Sequence, residues 1–258
     1  MVMNIVLDNI GKSYKAGKRE VLALSGVSLN VGSGEFVSII GPSGCGKSTL
    51  FKIICGLANP DRGSVRINGS RDYRPGDVLS YMPQKDLLMP WRTVLDNVLL
   101  PVKIRGEDLK KGREDALGLF PLFGLEGFES SYPGELSGGM SQRAALLRTV
   151  LAGRELMLLD EPFGSLDAIT RFNMQQWLQE IWLKLNRTVI FITHDVDEAI
   201  FLSDRIYVMS PRPGSLRDCL EVTIPRPRTS SAVIGNNFVK LKEKLIGLLA
   251  DQLPPSDS

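Results

Sequence analysis

The chain has 258 residues, of which 43% are hydrophobic, and 31 Lys and Arg stand against 29 Asp and Glu for a net charge of +2. This length can bury one large core, alone or with a smaller lobe, and the balanced charge argues against nucleic acid or an anionic membrane surface as the main partner. The three cysteines, Cys45, Cys55 and Cys219, lack the close pairing of a zinc site, so we expect a reduced, cytosolic protein without a metal cluster.

The chain begins with MVMNIVLDNIGKSY, which alternates like a strand and lacks the basic flank and apolar stretch of a signal peptide. No apolar run approaches the roughly 18 to 20 residues that cross a bilayer, so we expect a soluble chain. Segments rich in β-formers at 4–7, 21–31 and 35–40 predict that the opening third is mostly strand, and we expect an antiparallel β region at the N-terminus.

The middle of the chain is mainly helical. Apolar residues at helical spacing predict helices over 111–125 and 139–152, which we interpret as a helical lobe inserted into an α/β core. A helix around Phe172 and Trp182 follows. Strands are predicted at Leu156–Leu159, Thr188–Thr193 and Ile206–Met209. Strands that alternate with helices indicate a mainly parallel sheet.

The C-terminal part begins with PRPRTSS at 225–231, which is typical of a linker. A terminal helix follows, and its apolar face is formed by Phe238, Leu241, Leu245, Leu248 and Leu249. The final QLPPSDS is too polar and proline-rich to pack, so we expect it to be frayed. We therefore predict a nucleotide-binding core at 1–84 and 152–230, a helical subdomain at 85–151, and a C-terminal helix and tail at 231–258.

The chemistry begins at GPSGCGKST, residues 41–49, which fits the pattern GxxxxGK[ST] between a strand and a helix. Glycines allow backbone N–H groups to converge on phosphates at a helix N-terminus, Lys47 can reach the outer phosphates, and Ser48 can hold Mg²⁺. This pattern predicts a nucleoside triphosphate site. Its candidate phosphate-binding residues are Ser43, Gly44, Cys45, Gly46, Lys47, Ser48 and Thr49.

Two acidic residues follow the apolar run in ELMLLDEP, at the end of a predicted buried strand, where such sheets bind ligands. Asp160 would support Mg²⁺, and Glu161 would orient or activate a water for attack on the γ-phosphate. His194, the only histidine, also follows a β-run, VIFIT, and would lie at the same sheet edge. Its imidazole could hydrogen-bond the γ-phosphate or the attacking water and sense whether the phosphate is present.

A second candidate anion site lies in ELSGGMSQR at 135–143. Ser137, Gly138 and Gly139 stand where a predicted helix begins, and a helix N-terminus with a serine hydroxyl suits phosphate. Two phosphate-binding helix ends in one chain suggest either two nucleotides or one nucleotide shared between two copies of the chain.

These motifs resemble those of the ATP-binding subunits of ABC transporters, and they occur in that family's order. The matching residues are Tyr14, GPSGCGKST, Gln84 in YMPQKD, LSGGM, LMLLDEP, SLDA at 165–168, and His194. The resemblance implies a P-loop NTPase (RecA-like) α/β fold, with ATP and Mg²⁺ as cofactors. It also implies a head-to-tail dimer of ATP-binding subunits, in which each ATP lies between the P-loop of one and the LSGG stretch of the other.

Three residue roles come only from this resemblance. It implies that Tyr14 stacks on adenine, that Gln84 contacts Mg²⁺ and the attacking water, and that Asp167 crosses to the partner subunit.

Within the family, LLMPWRTVLDNVLLP, Met140 and MSPRPG are similar to the nitrate, sulfonate and taurine importer group, whose close relatives serve pyrimidine precursors of thiamine. The resemblance implies transmembrane permease subunits that dock near Gln84 to Arg92, an indirectly linked solute receptor, and a peripheral place on the cytoplasmic face of the membrane. It implies no nucleic-acid partner.

Two alternatives stay open. A P-loop kinase or phosphotransferase would complete its ATP site within one chain, where LSGG has no task. A non-transport ABC ATPase should carry coiled coils, zinc insertions, a basic face or duplicated cassettes, none of which is visible in the sequence.

Overall fold

A computed structural model describes residues 4–17, 19–164 and 166–250 of the chain. Over these residues the protein forms nine strands and ten α-helices. The predicted frayed tail QLPPSDS and Ser165 of the SLDA segment lie outside the described residues.

The strands are β1 (Ile5–Ala16), β2 (Arg19–Val31), β3 (Phe36–Ile40), β4 (Arg62–Ile67), β5 (Leu79–Met82), β6 (Leu156–Asp160), β7 (Thr188–Ile192), β8 (Arg205–Met209) and β9 (Leu216–Glu221). The helices are α1 (Lys47–Ile54), α2 (Pro75–Val78), α3 (Val94–Val98), α4 (Leu100–Arg105), α5 (Leu109–Leu119), α6 (Gly138–Leu151), α7 (Ala168–Leu185), α8 (Val196–Leu202), α9 (Ser230–Val233) and α10 (Asn236–Ala250), with a 3₁₀ turn at Pro133–Glu135.

These strands form two sheets. The larger has the order β5-β6-β7-β3-β8-β9, and every neighbouring pair is parallel except β8 and β9. The smaller has the order β2-β1-β4 and is antiparallel throughout. This arrangement confirms the predicted mainly parallel core with an N-terminal antiparallel region, although β1 extends well beyond the predicted 4–7.

The larger sheet is buried on both faces, because successive residues of its central strands enter two different hydrophobic clusters. One face carries Phe36, Ile40, Met157, Leu159, Val189, Phe191, Ile206 and Val208, which pack with the helices α3 to α8 and α10. The other carries Val37, Ile39, Leu156, Leu158, Ile190, Ile192, Tyr207 and Met209, which pack with α1 and the smaller sheet. Side chains alternate between the faces of a strand, so a strand covered on both sides reads as a continuous apolar run.

The central helical stretch differs from prediction at one point. The helix expected over 111–125 ends at Leu119, because Pro121 cannot continue the helical hydrogen bonds and Gly124 adopts φ +59°. Phe120 and Phe123 are nevertheless fully buried in this turn. The helix expected over 139–152 is α6, within one residue at each end.

The linker prediction for PRPRTSS is wrong. Arg228 is only 2% exposed, and its Nη1 donates to the carbonyl oxygens of Ile200, Phe201 and Ser203 at 2.9, 3.0 and 2.7 Å. A buried guanidinium surrounded by carbonyl acceptors fixes its backbone. The segment is therefore anchored to the core through the side chain of Arg228, although most of its other residues are exposed, and it leads directly into the C-terminal helices.

The last helix, α10, packs as expected from its apolar face. Phe238 and Leu245 are fully buried, and the other three predicted face residues are partly buried against the same cluster.

Candidate active site

The candidate residues meet at one edge of the larger sheet. The carboxyl ends of the adjacent parallel strands β5, β6, β7 and β3 lead to Gln84, to Asp160 and Glu161, to His194, and to the P-loop at 41–49. Ligands bind at this edge of open parallel sheets, because loops and helix N-termini converge there. Strand order therefore brings together segments that are far apart in sequence.

The P-loop is shaped by two glycines with positive φ, Gly44 at +75° and Gly46 at +110°. A Cβ on Gly46 would lie 2.6 Å from Cδ2 of Leu24 and 2.9 Å from the carbonyl oxygen of Ala23. Only glycine fits such a position without displacing the neighbouring strand. The loop leads straight into α1, whose first turn has no side-chain cap, so its N–H groups are available to an anion.

The side chain of Lys47 folds back onto the first residues of the P-loop. It is buried, and Nζ donates to the carbonyl oxygens of Gly41 at 2.7 Å and Pro42 at 3.1 Å. A buried ammonium is costly, and phosphate oxygens would add to the negative charge that Asp160 supplies near Lys47. This environment fits the triphosphate expected from the sequence.

Asp160 is 5% exposed at the end of β6. Burial raises the pKa of its carboxyl, the charge of Glu161 adds to the rise, and hydrogen bonds from Tyr81 and Ser48 oppose it. The Tyr81 hydroxyl donates to Oδ2 at 3.3 Å. A buried carboxylate beside a serine hydroxyl is an oxygen donor set of the kind that Mg²⁺ prefers, so the residues fit the ion expected from the sequence.

The carboxyl group of Glu161 contacts two of the other candidate residues. Nε2 of Gln84 donates to Oε2 of Glu161 at 3.1 Å, and Nδ1 of His194 lies 3.3 Å from the same oxygen. Glu161 has φ +45°, a conformation that costs a non-glycine residue about 1 kcal/mol or more and that is enriched at functional sites. The structure therefore brings Gln84, Glu161 and His194 into direct contact, as the sheet-edge argument predicts for Glu161 and His194.

These three residues line an open cleft of about 690 Å³ that also reaches Gly138 and Ser141 of α6. Among the described residues, the lining includes none of 41–49. Ser137 caps α6, because its Oγ accepts from the N–H of Met140 at 3.3 Å. Gly139 is buried within the first turn. The LSGGM segment thus lies across the cleft from Glu161.

Two other candidates lie apart from this cleft. Tyr14 is on β1 of the smaller sheet, 41% exposed, with Nζ of Lys12 5.6 Å from its ring centre. Asp167 is the N-cap of α7 and accepts from the N–H groups of Ile169 and Thr170 at 3.2 and 3.1 Å. A hydrogen bond from the Thr170 side chain, together with these backbone bonds, lowers the pKa of the Asp167 carboxyl.

Comparison with known proteins identifies the family. A profile described as "ABC transporter" matches residues 24–164, more than half of the chain. The chain belongs to the ABC transporter family. It is an ATP-binding and ATP-hydrolysing cassette of that family, which decides against the kinase alternative.

Curated relatives cover nearly the whole cassette. It is 40% identical over 253 residues to an uncharacterised ABC transporter ATP-binding protein of Methanocaldococcus jannaschii, covering 98% of this chain and 94% of the relative. It is 39% identical over 244 residues to an aliphatic sulfonates import ATP-binding protein of Bacillus cereus, covering 95% of each chain. These matches confirm the resemblance to the sulfonate-type group.

Two solved structures share the fold of the cassette. One is the dimeric structure of a bacterial ABC transporter cassette, with a TM-score of 0.74 and 32% identity. The other is the dimeric, post-hydrolysis state of an ATP-binding cassette with ADP and Pi, with a TM-score of 0.72 and 32% identity. Both alignments cover 86% of this chain and 100% of the other.

Some residues of the cassette's site were not predicted from the sequence. Tyr81 contacts Asp160 only because β5 lies beside β6, an order that the sequence does not reveal. Behind His194, the carboxyl of Glu198 is 4% exposed, accepts from the Thr193 hydroxyl at 2.6 Å, and has Nε of Arg171 at 3.8 Å. The sequence feature that could have indicated Glu198 is its helical spacing relative to the apolar residues of α8.

We expect the cassette to become less stable as the pH rises from about 4.5 to about 7, because Glu198 ionises over this range. Burial raises the pKa of this carboxyl from 4.5 to about 7, so the folded state holds the proton more tightly than the unfolded chain. As the pH rises through this window, the free energy of unfolding should fall by about 3 kcal/mol from this group, and then stay level.

The Glu198→Gln variant should lack this fall and should be more stable than the wild type at pH 8. Urea unfolding at pH 5 and pH 8 measures the difference, with Glu180→Gln on the exposed face of α7 as the matched control. An equal pH dependence in wild type and Glu198→Gln would contradict the assignment.

Proposed function

We propose that this cassette is the motor subunit of an importer for a small solute, and that its ATP site is assembled between two copies of the chain. The observation that carries the catalytic part is the meeting of Gln84, Glu161 and His194 at Oε2 of Glu161. A carboxylate that shares a cleft with an amide and an imidazole can hold and deprotonate a water.

Phosphate binding is assigned to the P-loop. The N–H groups of 43–49 and the ammonium of Lys47 would hold the phosphates, and Ser48, Asp160 and Gln84 would hold Mg²⁺. When bound, Mg²⁺ neutralises phosphate charge. Support comes from the uncapped start of α1 and from the hydrogen bond between the buried carboxyl of Asp160 and the hydroxyl of the exposed Ser48.

His194 and Glu161 have different proposed tasks. Glu161 is the general base, because its carboxylate is within hydrogen-bond reach of both neighbours and is only partly buried. His194, with 58% of its side chain exposed, faces the cleft and can donate to the γ-phosphate or the water. The histidine therefore senses the phosphate without having to accept the water's proton.

A second copy would complete the site. Ser137, Gly138 and Gly139 begin α6, of which Gly138 lines the cleft, and this helix turn would bind the γ-phosphate of the ATP held by the partner. Tyr14 offers an exposed ring for adenine stacking, and Asp167, at the N-cap of α7, would reach the partner. The dimeric state of the two similar cassettes supports this proposal.

The dimer is tested by sedimentation of the Glu161→Gln variant with and without MgATP. We expect monomer without nucleotide and dimer at saturating MgATP, because slowed hydrolysis preserves the closed state. A chain that stays monomeric with saturating ATP bound would contradict a shared site.

A permease docking surface is proposed beside Gln84. Trp91 is 72% exposed and Leu87 is 59% exposed, although both are large apolar side chains. Exposed apolar groups of this size are typical of protein contacts. No helix among the described residues combines the length and apolar character needed to cross a membrane. We therefore propose that transmembrane permease subunits hold the cassette on the cytoplasmic face of the membrane, with a solute receptor linked indirectly.

The proposed solute class is nitrate, a sulfonate, taurine or a pyrimidine vitamin precursor. Support comes from LLMPWRTVLDNVLLP, Met140 and MSPRPG, and from the 39% identity over 244 residues to the aliphatic sulfonates import ATP-binding protein.

Affinity purification of the tagged chain from its own cells, after gentle solubilisation of the membranes, tests the importer. A multi-span membrane protein together with a solute receptor is the expected result, and ligand screening on that receptor would identify the solute. Recovery with ribosomes, with DNA or alone would contradict the importer and favour a non-transport ABC ATPase.

A further inference from the structure

A closed loop follows β8 at Ser210–Ser215, with the sequence SPRPGS. The N–H of Ser210 donates to the carbonyl oxygen of Ser215 at 2.9 Å, and the N–H of Ser215 donates to Oγ of Ser210 at 2.9 Å. The single hydroxyl hydrogen of Ser210 is shared between the carbonyl oxygens of Pro211 and Pro213, which lie 3.0 and 3.1 Å from Oγ. Two prolines and these bonds make the 210–215 loop rigid.

The 210–215 loop lies against the P-loop, because β8 is the neighbour of β3 in the sheet. A Cβ on Gly214 would come within 2.0 Å of the carbonyl oxygen of Cys45. The backbone of Gly214 also bonds β2, donating to Ala23 at 2.9 Å and accepting from Ser25 at 2.8 Å. One rigid loop therefore supports the P-loop from the side and ties it to β2, the strand that Gly46 packs against.

Arg212, at the tip of this loop, places a positive charge beside the P-loop. Its Nη2 and Nε donate to the carbonyl oxygen of Gly44 at 3.2 and 3.3 Å. The side chain is exposed, so these bonds are not needed to satisfy a buried cation. Gly44 is one of the two P-loop glycines with positive φ.

We propose that Arg212 is a positioning residue of the nucleotide site, and that it orients the Gly44–Cys45 peptide for phosphate binding. In a trans peptide the C=O and the following N–H point in opposite directions. A guanidinium that holds the carbonyl oxygen of Gly44 from outside therefore keeps the N–H of Cys45 facing into the loop. That N–H donates to the carbonyl oxygen of Pro42 at 3.3 Å, a long bond that a phosphate oxygen can replace.

The positive charge of Arg212 also makes the N–H of Cys45 a stronger hydrogen-bond donor. A hydrogen bond from a cation polarises the peptide it contacts, which makes the opposite N–H a better donor to an anion. Arg212 therefore acts on affinity through the backbone, and the transfer of the water's proton does not involve it. This inference rests on the P-loop as the triphosphate site proposed above.

The test compares Arg212→Ala, Arg212→Lys and wild type by calorimetric titration with the magnesium complexes of ADP and of AMP-PNP, a non-hydrolysed ATP analogue, and by steady-state ATPase kinetics. For Arg212→Ala we expect both dissociation constants and KM for ATP to rise about five- to tenfold, because two charge-assisted bonds are lost at an exposed site. The kcat should stay within about twofold, since Glu161 is untouched. Arg212→Lys should recover most of the affinity, because it restores a charged donor.

Arg217→Ala is the matched control, since it removes the same charge from an exposed position on β9. It should bind both nucleotides like wild type. Unchanged nucleotide affinity in Arg212→Ala, or a loss of affinity that accompanies a lower thermal midpoint and is not recovered by Lys, would overturn the inference. If wild type itself binds neither nucleotide, the P-loop assignment fails as well, so the two failures are distinguishable.

Discussion

The Glu161→Gln variant should bind ATP like wild type and hydrolyse it about 100- to 1,000-fold more slowly, because general-base catalysis contributes roughly that factor. Gln keeps the shape of the side chain and can keep the contacts to Gln84 and His194, which meet at Oε2. It cannot accept a proton from water. The lost function is therefore proton transfer, whereas the P-loop and its phosphate ligands remain intact.

The decisive measurement for Glu161 is a single-turnover assay, which separates hydrolysis from product release. ATP binding is titrated in parallel, so that a slow rate is not mistaken for an empty site. Glu180→Gln provides the control, since it makes the same chemical change on the exposed face of α7. A hydrolysis rate for Glu161→Gln within threefold of wild type would remove Glu161 as the general base.

The convergence of the catalytic candidates could be predicted from the sequence for a simple physical reason. Asp160, Glu161 and His194 each follow a short apolar strand, and parallel strands deliver their ends to one edge whatever their order. The glycine pattern of the P-loop was equally visible, because the conformations of Gly44 and Gly46 require a residue without Cβ.

The contacts that depend on strand order could not be predicted. Tyr81 reaches Asp160 because β5 lies beside β6, and Arg212 reaches the P-loop because β8 lies beside β3. Neither neighbour relation is encoded in local periodicity. The linker prediction for PRPRTSS failed for a related reason: an arginine in a segment rich in proline and serine, such as Arg228, reads as solvated until the carbonyl groups that surround it are placed in space.

The second large effect is expected at Lys47. The Lys47→Ala variant should bind ATP roughly 100-fold more weakly than wild type, because hydrogen bonds from a charged donor contribute about 1.5 to 3 kcal/mol each. Equilibrium titration with MgATP at fixed ionic strength measures the change. Lys52→Ala is the control, since Lys52 lies on the same helix α1 but is exposed.

The reason for so large an effect is that Lys47 serves the P-loop both before and after the nucleotide binds. Without nucleotide, its ammonium satisfies the carbonyl oxygens of Gly41 and Pro42, and it is almost fully buried there. Alanine would leave these two acceptors without their donor and would also remove the positive charge that the phosphates need. We expect the thermal midpoint of Lys47→Ala to fall by several degrees, because leaving a buried acceptor such as the Gly41 carbonyl oxygen without its donor costs about 1 to 3 kcal/mol. If Lys47→Ala bound ATP as tightly as wild type, the phosphates would have to bind elsewhere. The assignment of the P-loop as the phosphate site would then be wrong.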